Sequence, residues 1–346
     1  MIKIGISSDQ HWSQNSSILR RQGKTYSIRL ENLIKSMNWF EKLTEMEGCE
    51  MTFYLGDFFD RPDLNAQEIT ALSEINWFNN KKYFLVGNHE SSMMDLNFSS
   101  TKIFEKLNSN IVSEPMKMEA NELVDMYLLP YMSSSNKVIP LDNFIEKNDK
   151  KKIVFSHNDI AGIQYGKFTS TSGFSVDDIV NSCTVFINGH LHNGQILENI
   201  VLVGNLTGQN FNEDASQYEH VAYILTIEDD GKITLEPYIN PHAFNFYKFY
   251  INSLNDIKKL NDLKHNAVLS LMCNSNFTQR VKDTIAQNKN IIEYRLQTIY
   301  RKETSEEEDD DFIGNGDHIG QFINYVQTKL EPSKILTEEL NILYNS

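Results

Sequence analysis

The 346-residue chain is 40% hydrophobic and 11% aromatic with a formal net charge of −15, enough apolar material for one large domain and a smaller one. It has no apolar run of about 18 residues, which argues against a membrane-spanning helix. Its cysteines, Cys49, Cys183 and Cys273, are few and far apart; they support neither a disulfide framework nor a zinc knuckle and suit a reducing cytoplasm. The acidity argues against broad electrostatic capture of nucleic acid, though not against a local basic groove.

In chain order, residues 2–8 are apolar and β-prone, without the features of a signal peptide. They lead into Asp9-Gln10-His11, where an extended backbone would point both outer side chains the same way. Apolar positions at helical spacing predict a helix over 26–47, closed by Gly48. A buried strand over 51–55 delivers Gly56-Asp57-Phe58-Phe59-Asp60-Arg61. A helix over 66–79 and a strand over 83–86 follow, the strand running into Gly87-Asn88-His89-Glu90. Further on come a strand at 127–129, a helix near 141–147, a strand at 152–155 ending in His157, and one at 184–187 ending in Gly189-His190-Leu191-His192. Antiparallel strands are expected over 195–203 and 220–238, with a hairpin turn at Asp229-Asp230-Gly231. A polar cluster after each early strand is the pattern of a βαβ-built sheet with its site along one edge.

Beyond a boundary near 240 the pattern restarts as strand, helix, strand, helix, strand over 246–296. This predicts a small α+β domain over 241–302. Seven carboxylates crowd 303–311, so 303–317 reads as an acidic linker. Ile319, Phe322, Ile323, Val326 and Leu330 then form one apolar face of a helical tail over 318–346.

Five of the nine histidines, His11, His89, His157, His190 and His192, stand directly after predicted strands. A Gly-Asp after a strand is by itself ordinary turn chemistry, and one such histidine alone is more simply structural. Five on one expected sheet edge, beside Asp9, Asp57 and Asn88, point to metal. Mixed imidazole and carboxylate donors suit zinc, iron or manganese and not calcium. The set is too large for one tetrahedral ion and fits two ions about 3.5–4 Å apart with a carboxylate between them.

Asp-x-His, Gly-Asp-x-x-Asp, Gly-Asn-His-Glu, a lone histidine after a strand and Gly-His-x-His occur here in order over residues 9–192. This set resembles the calcineurin-like metallophosphoesterase superfamily. The resemblance implies an α/β fold, a two-sheet sandwich flanked by helices, here with the small α+β capping domain and the helical tail appended. It makes Asp9, His11, Asp57 and His192 ligands of one ion and Asp57, Asn88, His157 and His190 ligands of the other, with Asp57 the bridge. His89 would bind no metal; it would orient the phosphate and protonate the leaving oxygen. Asp60 and Arg61 would support the bridge and its loop from outside. Two Mn²⁺ ions are the implied cofactors, with Mg²⁺ as the substitute.

Within the superfamily, Gly56-Asp57-Phe58-Phe59-Asp60-Arg61 and the 204–213 segment resemble SbcD-type DNA double-strand-break repair nucleases, phage recombination endonuclease subunits included. That resemblance implies a DNA exonuclease and endonuclease with a nuclease domain over 1–240 and a DNA-capping domain over 241–302. The tail would dock on the coiled coil of an SbcC-type ABC ATPase. A homodimer is also implied, with 66–78 and 98–107 as candidate contact segments. Asn205 stands where such proteins often carry serine, and Ser156-His157 where many carry Gly-His. Two other readings stand beside this one. A free-standing phosphoesterase for a small phosphodiester or phosphoprotein would need no terminal docking helix, and the 240–346 region argues against it; an inactive scaffold would be expected to have lost ligands.

Overall fold

The computed structural model describes residues 1–299 apart from 17–18, 20–21, 93–94, 134–136 and 166–167. The linker and the tail, with Ile319, Phe322, Ile323, Val326 and Leu330, lie outside the described residues. The principal strands are β1 (Ile2–Ser7), β2 (Met51–Leu55), β3 (Lys81–Leu85), β4 (Ser109–Val112), β5 (Met116–Asn121), β6 (Val124–Leu129), β7 (Lys151–Ser156), β8 (Val185–Asn188), β9 (Gln195–Leu197), β10 (Ile200–Leu202), β11 (Val221–Ile227) and β12 (Ile233–Ile239). A last group comprises β13 (Asn245–Ile251), β14 (Ala267–Asn274) and β15 (Ile291–Ile299). The helices are α1 (Ile28–Met46), α2 (Ala66–Leu72), α3 (Val176–Ser182), α4 (Leu254–Lys258) and α5 (Thr278–Gln287).

Two six-stranded sheets, ordered β12-β11-β1-β2-β3-β4 and β9-β10-β8-β7-β6-β5, face each other. In the first, β1 to β4 run parallel and β11 pairs antiparallel with β1. In the second, β6, β7, β8 and β10 run parallel. Ile4, Ile6, Phe53 and Leu85 meet Met126, Leu128, Phe155 and Ile187 between the sheets. Outside the first sheet, Leu30, Leu33, Met37 and Phe40 of α1 pack with Tyr54 and Phe84. Outside the second, Ile179 of α3 packs with Val154 and Phe186. This is the two-sheet α/β sandwich flanked by helices. Both sheets turn the carboxyl ends of parallel strands toward the same edge, where open α/β sheets place their ligands.

Two segments depart from the expected helices, and a candidate contact segment is not a regular helix either. The predicted helix over 66–79 ends at Leu72, because α1 takes over its backbone: Asn38 accepts from Asn76 N and donates to Glu74 O, and Glu41 accepts from Phe78 N. Near 141–147 there is one 3-10 turn, Leu141–Asn143; Glu146 N donates to the Tyr127 hydroxyl instead of back along a helix. The 98–107 segment is a strand end, Asp95–Ser99, followed by the 3-10 turn Ser100–Lys106.

The same corner holds a buried ion pair. Lys82 Nζ lies 3.2 Å from Glu41 Oε2, both side chains essentially without solvent, and it donates to Phe78 O and Asn80 Oδ1. Tyr54 OH donates to the other Glu41 oxygen. Lys82→Ala would strand a buried carboxylate, so it is expected to cost about 3–5 kcal/mol of folding stability in urea unfolding. Lys42→Ala, at the exposed Lys42–Glu45 pair, is expected to cost little. Equal costs would contradict this reading.

The C-terminal layer is a parallel sheet ordered β13-β14-β15. One face is closed by Ile257 of α4 and Val281 and Ile285 of α5, packed with Leu269, Leu271 and Cys273. At the other, Phe246 and Val268 pack with Leu19, Phe211 and Phe244, which joins this layer to the segment after His192. No helix among the described residues is long and apolar enough to cross a membrane.

Candidate metal centre

The loops leaving β1, β2, β3, β7 and β8 deliver Asp9 and His11, Asp57, Asn88 and His89, His157, and His190 and His192 respectively. The first two loops are laced together: Asp9, His11 and Trp12 N–H groups donate to the carbonyls of Gly56, Asp57 and Phe58. That pairing corrects the expectation of an extended backbone at 9–11. Asp9 has φ 52° and His11 φ 45°, and Asp57 (φ 48°) and His190 (φ 68°) are left-handed too. Non-glycine residues avoid that region unless the surroundings hold them there. Four of the seven such residues described belong to the expected ligand set, so the strain is gathered at the site. Gly87 shows how tightly the loops meet: a Cβ there would fall 2.1 Å from Asp57 Oδ1.

The donor atoms converge in overlapping groups. Candidate ligand atoms of Asp9, His11 and His192 lie within 4.8 Å of one another, as do those of Asp57, His157 and His190. Asp57 stands between them, its Oδ2 3.1 Å from His157 Nε2 and 3.9 Å from His11 Nε2. His11 Nε2 and His192 Nε2 face each other at 3.1 Å. Each imidazole has its other nitrogen on an acceptor: His11 Nδ1 near Asp60 Oδ1, His157 Nδ1 on Leu55 O, His190 Nε2 near Asp159 Oδ1 and His192 Nδ1 near Glu213 Oε1. Such partners fix ring and tautomer and leave the remaining nitrogen free to bind metal.

Asp9 Oδ1, Asn88 Oδ1 and His190 Nδ1 are buried with no hydrogen-bond partner, and His157 Nε2, buried too, makes no well-aligned hydrogen bond and faces Asp57 Oδ2 alone. A buried polar atom left unpaired is costly, and these four, among ten such atoms in the described residues, are ones that would ligate. Together with the oxygen and imidazole donor set, this fits two divalent ions.

His89 stands apart. Its side chain is 43% exposed, its ring meets the edge of His11 at 4.7 Å, and its Nδ1 lies 3.1 Å from the Asp60 carbonyl. A group of ligand-type atoms from His11, Asp57 and His89 also forms within 4.8 Å, but here His89 contributes the exposed member, open to an incoming molecule. Asp60 supports His11, while Asp57 Oδ1 accepts from His89 N at 3.0 Å. Arg61 turns to Ser13 and makes a two-pronged contact with Glu68, fastening the loop to α2.

Glu90, Asp159 and Glu213 carry contacts that sequence reasoning assigned to no one. Glu90 lies next to the Gly-Asn-His motif, and its two oxygens accept from Gly87 N and Phe59 N, stapling the second loop to the third. Burial and the nearby Asp57 push its carboxyl up to about 8.

Charge follows the geometry. Burial raises the Asp57 carboxyl, but the His157, His11 and His89 imidazoles outweigh it and hold it well below the usual carboxylate range. Burial likewise lowers His11 and His157, but the Asp60 and Asp9 contacts hold His11 at about 10 and the Asp57 charge holds His157 at about 9. Without metal these contacts favour the protonated form of both rings, so loading is expected to displace protons. Metal affinity is expected to rise with pH toward 9–10. Calorimetry in buffers of different ionisation enthalpy should register about two protons released per loaded site pair near pH 7; zero release would contradict it.

A family model described as calcineurin-like phosphoesterase matches residues 2–226. The chain belongs to the calcineurin-like phosphoesterase family. Members typically hold two divalent metal ions, and by that membership this chain is a dinuclear-metal hydrolase of phosphoesters. No curated protein matches it in sequence. Among solved structures it is similar to a dimetal phosphatase from Danio rerio, at 12% identity and TM-score 0.41 over 69% of this chain and 96% of that one. It is also similar to GAP50, the anchor in the inner membrane complex of Plasmodium, at 10% identity and TM-score 0.41 over 69% of this chain and 84% of that one.

Proposed function

We propose that this phosphoesterase is a Mn²⁺-dependent DNA exonuclease and endonuclease of the SbcD type, hydrolysing phosphodiester bonds at DNA ends in double-strand-break processing and recombination. It would work in the cytoplasm as a homodimer with an SbcC-type coiled-coil ABC ATPase, docked through the 318–346 tail. The observation that carries the reading is the β13-β14-β15 layer, tied to the segment that follows His192. A second layer beside the centre suits a polymer that extends past the cleaved bond better than a small ester. Lys248 and Arg295 flank Ser270 in register across that sheet, two exposed cations on an acidic chain.

The two ions, Mn²⁺ or Mg²⁺, would be held by Asp9, His11, Asp57, Asn88, His157, His190 and His192, and when bound they supply positive charge to the phosphoryl group and lower the pKa of the attacking water. The chain's own residues do the rest. Asp60 and Glu213 keep His11 and His192 facing inward. His89, held through Nδ1 by the Asp60 carbonyl, presents Nε2 to the leaving oxygen and donates its proton as the P–O bond breaks.

The test is cleavage of linear and hairpin DNA by the full chain with Mn²⁺ or Mg²⁺, with and without its ATPase. Cleavage by the wild type, lost in His89→Ser, supports the reading. No cleavage even with the ATPase, beside turnover of a small phosphodiester, would replace it with the free-standing enzyme.

A further inference from the structure

The acceptors behind the four inward-facing imidazoles are unequal. Asp60 and Asp159 have side chains 37% and 33% exposed, and Leu55 offers a backbone carbonyl. Glu213 is a carboxylate shut away from water, its side chain 2% exposed. Its Oε1 lies 3.2 Å from His192 Nδ1 and accepts from Asn205 Nδ2 at 2.9 Å, while its Oε2 accepts from Gln209 N at 2.9 Å. Three donors on two oxygens leave this carboxylate one orientation.

The segment that carries Glu213 is itself clipped at both ends. Gly208 N donates to Phe244 O and Ala215 N to Phe246 O, each at 3.0 Å. Between those clips the Phe211 ring packs edge-on against Phe246 at 5.1 Å and under the Arg295 guanidinium at 4.3 Å. Gly208 permits the approach, since a Cβ there would fall 2.4 Å from Phe244 O. Residues 208–215 thus form a strap fixed to the C-terminal sheet, with one carboxylate turned back to His192. With Nδ1 donating to Glu213, the His192 lone pair is on Nε2, which lies 3.1 Å from His11 Nε2 and 4.0 Å from Asp9 Oδ1.

We infer that Glu213 is the positioning residue of the metal position formed by Asp9, His11 and His192: it sets the tautomer and ring plane of His192, acting from a strap anchored on the C-terminal sheet. The inference rests on the dinuclear reading and assigns a role to one of its two positions only. A residue that merely stabilised the fold would weaken both positions together. A positioning residue weakens one.

The experiment is Mn²⁺ titration of the full chain by calorimetry and electron paramagnetic resonance, on wild type, Glu213→Ala and Glu213→Gln, with unfolding of each metal-free protein measured alongside. The wild type is expected to bind two ions and give the signal of an exchange-coupled pair. In Glu213→Ala one ion should bind about 10–100-fold more weakly while the other stays within about threefold of wild type, so that one equivalent gives an isolated-ion spectrum. Glu213→Gln should fall between, because a carboxamide oxygen still accepts from His192 Nδ1, and it gives the same reading should the alanine variant fail to fold. Wild-type affinity at both positions in both variants would overturn the inference, as would equal weakening of both in step with lost stability. A wild type that takes up fewer than two ions overturns the dinuclear reading and this inference with it, and shows itself before any substitution is made.

Discussion

Asp57→Asn is expected to abolish hydrolysis while leaving a folded chain. The residue is buried, its Oδ1 is taken by His89 N, and its Oδ2 is the oxygen that faces one imidazole from each candidate group, His157 and His11. An amide keeps the shape, removes the charge and turns one of those oxygens into a donor. The neighbouring imidazoles then lose the anion that holds them, and both metal positions lose their shared ligand. A centre that contributes several kcal/mol to the transition state should lose at least about 10³–10⁴-fold in kcat/KM. Metal analysis should find neither position filled at micromolar Mn²⁺. A variant that keeps both ions and stays within tenfold of wild type would remove Asp57 from the role of bridge.

His89→Ser is expected to separate the two functions that Asp57→Asn destroys together. The ring is on the solvent side of the centre and makes no contact on which the core depends, so folding and metal content should match wild type. The loss should fall on kcat, by about 10²–10⁴-fold, the range of a positioned general acid. The loss should also depend on the leaving group. A diester that expels a nitrophenolate needs no proton and should be cut nearly as fast by the variant, whereas an alkoxide leaving group should show the full deficit. A deficit of the same size for both leaving groups would mean that His89 binds the substrate without protonating it.

The cluster of candidate ligands was legible because strands announce themselves by apolar runs, and each expected ligand directly follows one. Parallel strands then place those ends on one edge without further information. The local backbone was not legible. Asp9 and His11 look extended in isolation, and only the hydrogen bonds to Gly56, Asp57 and Phe58 turn them left-handed. The helix from Ala66 was overextended for a similar reason, since Asn38 and Glu41 on α1 capture backbone groups that a longer helix would have used. Glu213 left no periodic signal at all. It sits on an irregular segment 21 positions after His192, and its meaning lies in where the third sheet holds that segment. Glu90 was in plain view beside His89, yet its neighbours on the chain gave no sign that its carboxylate would face two backbone amides.

Two metal positions that meet at one carboxylate would show in the anomalous signal of a crystal of the full chain grown with Mn²⁺. Two peaks are expected, one among Asp9, His11, His192 and Asp57 and the other among Asp57, Asn88, His157 and His190, with Asp57 touching both. A single peak, or two peaks of which either lies away from Asp57, would contradict that arrangement.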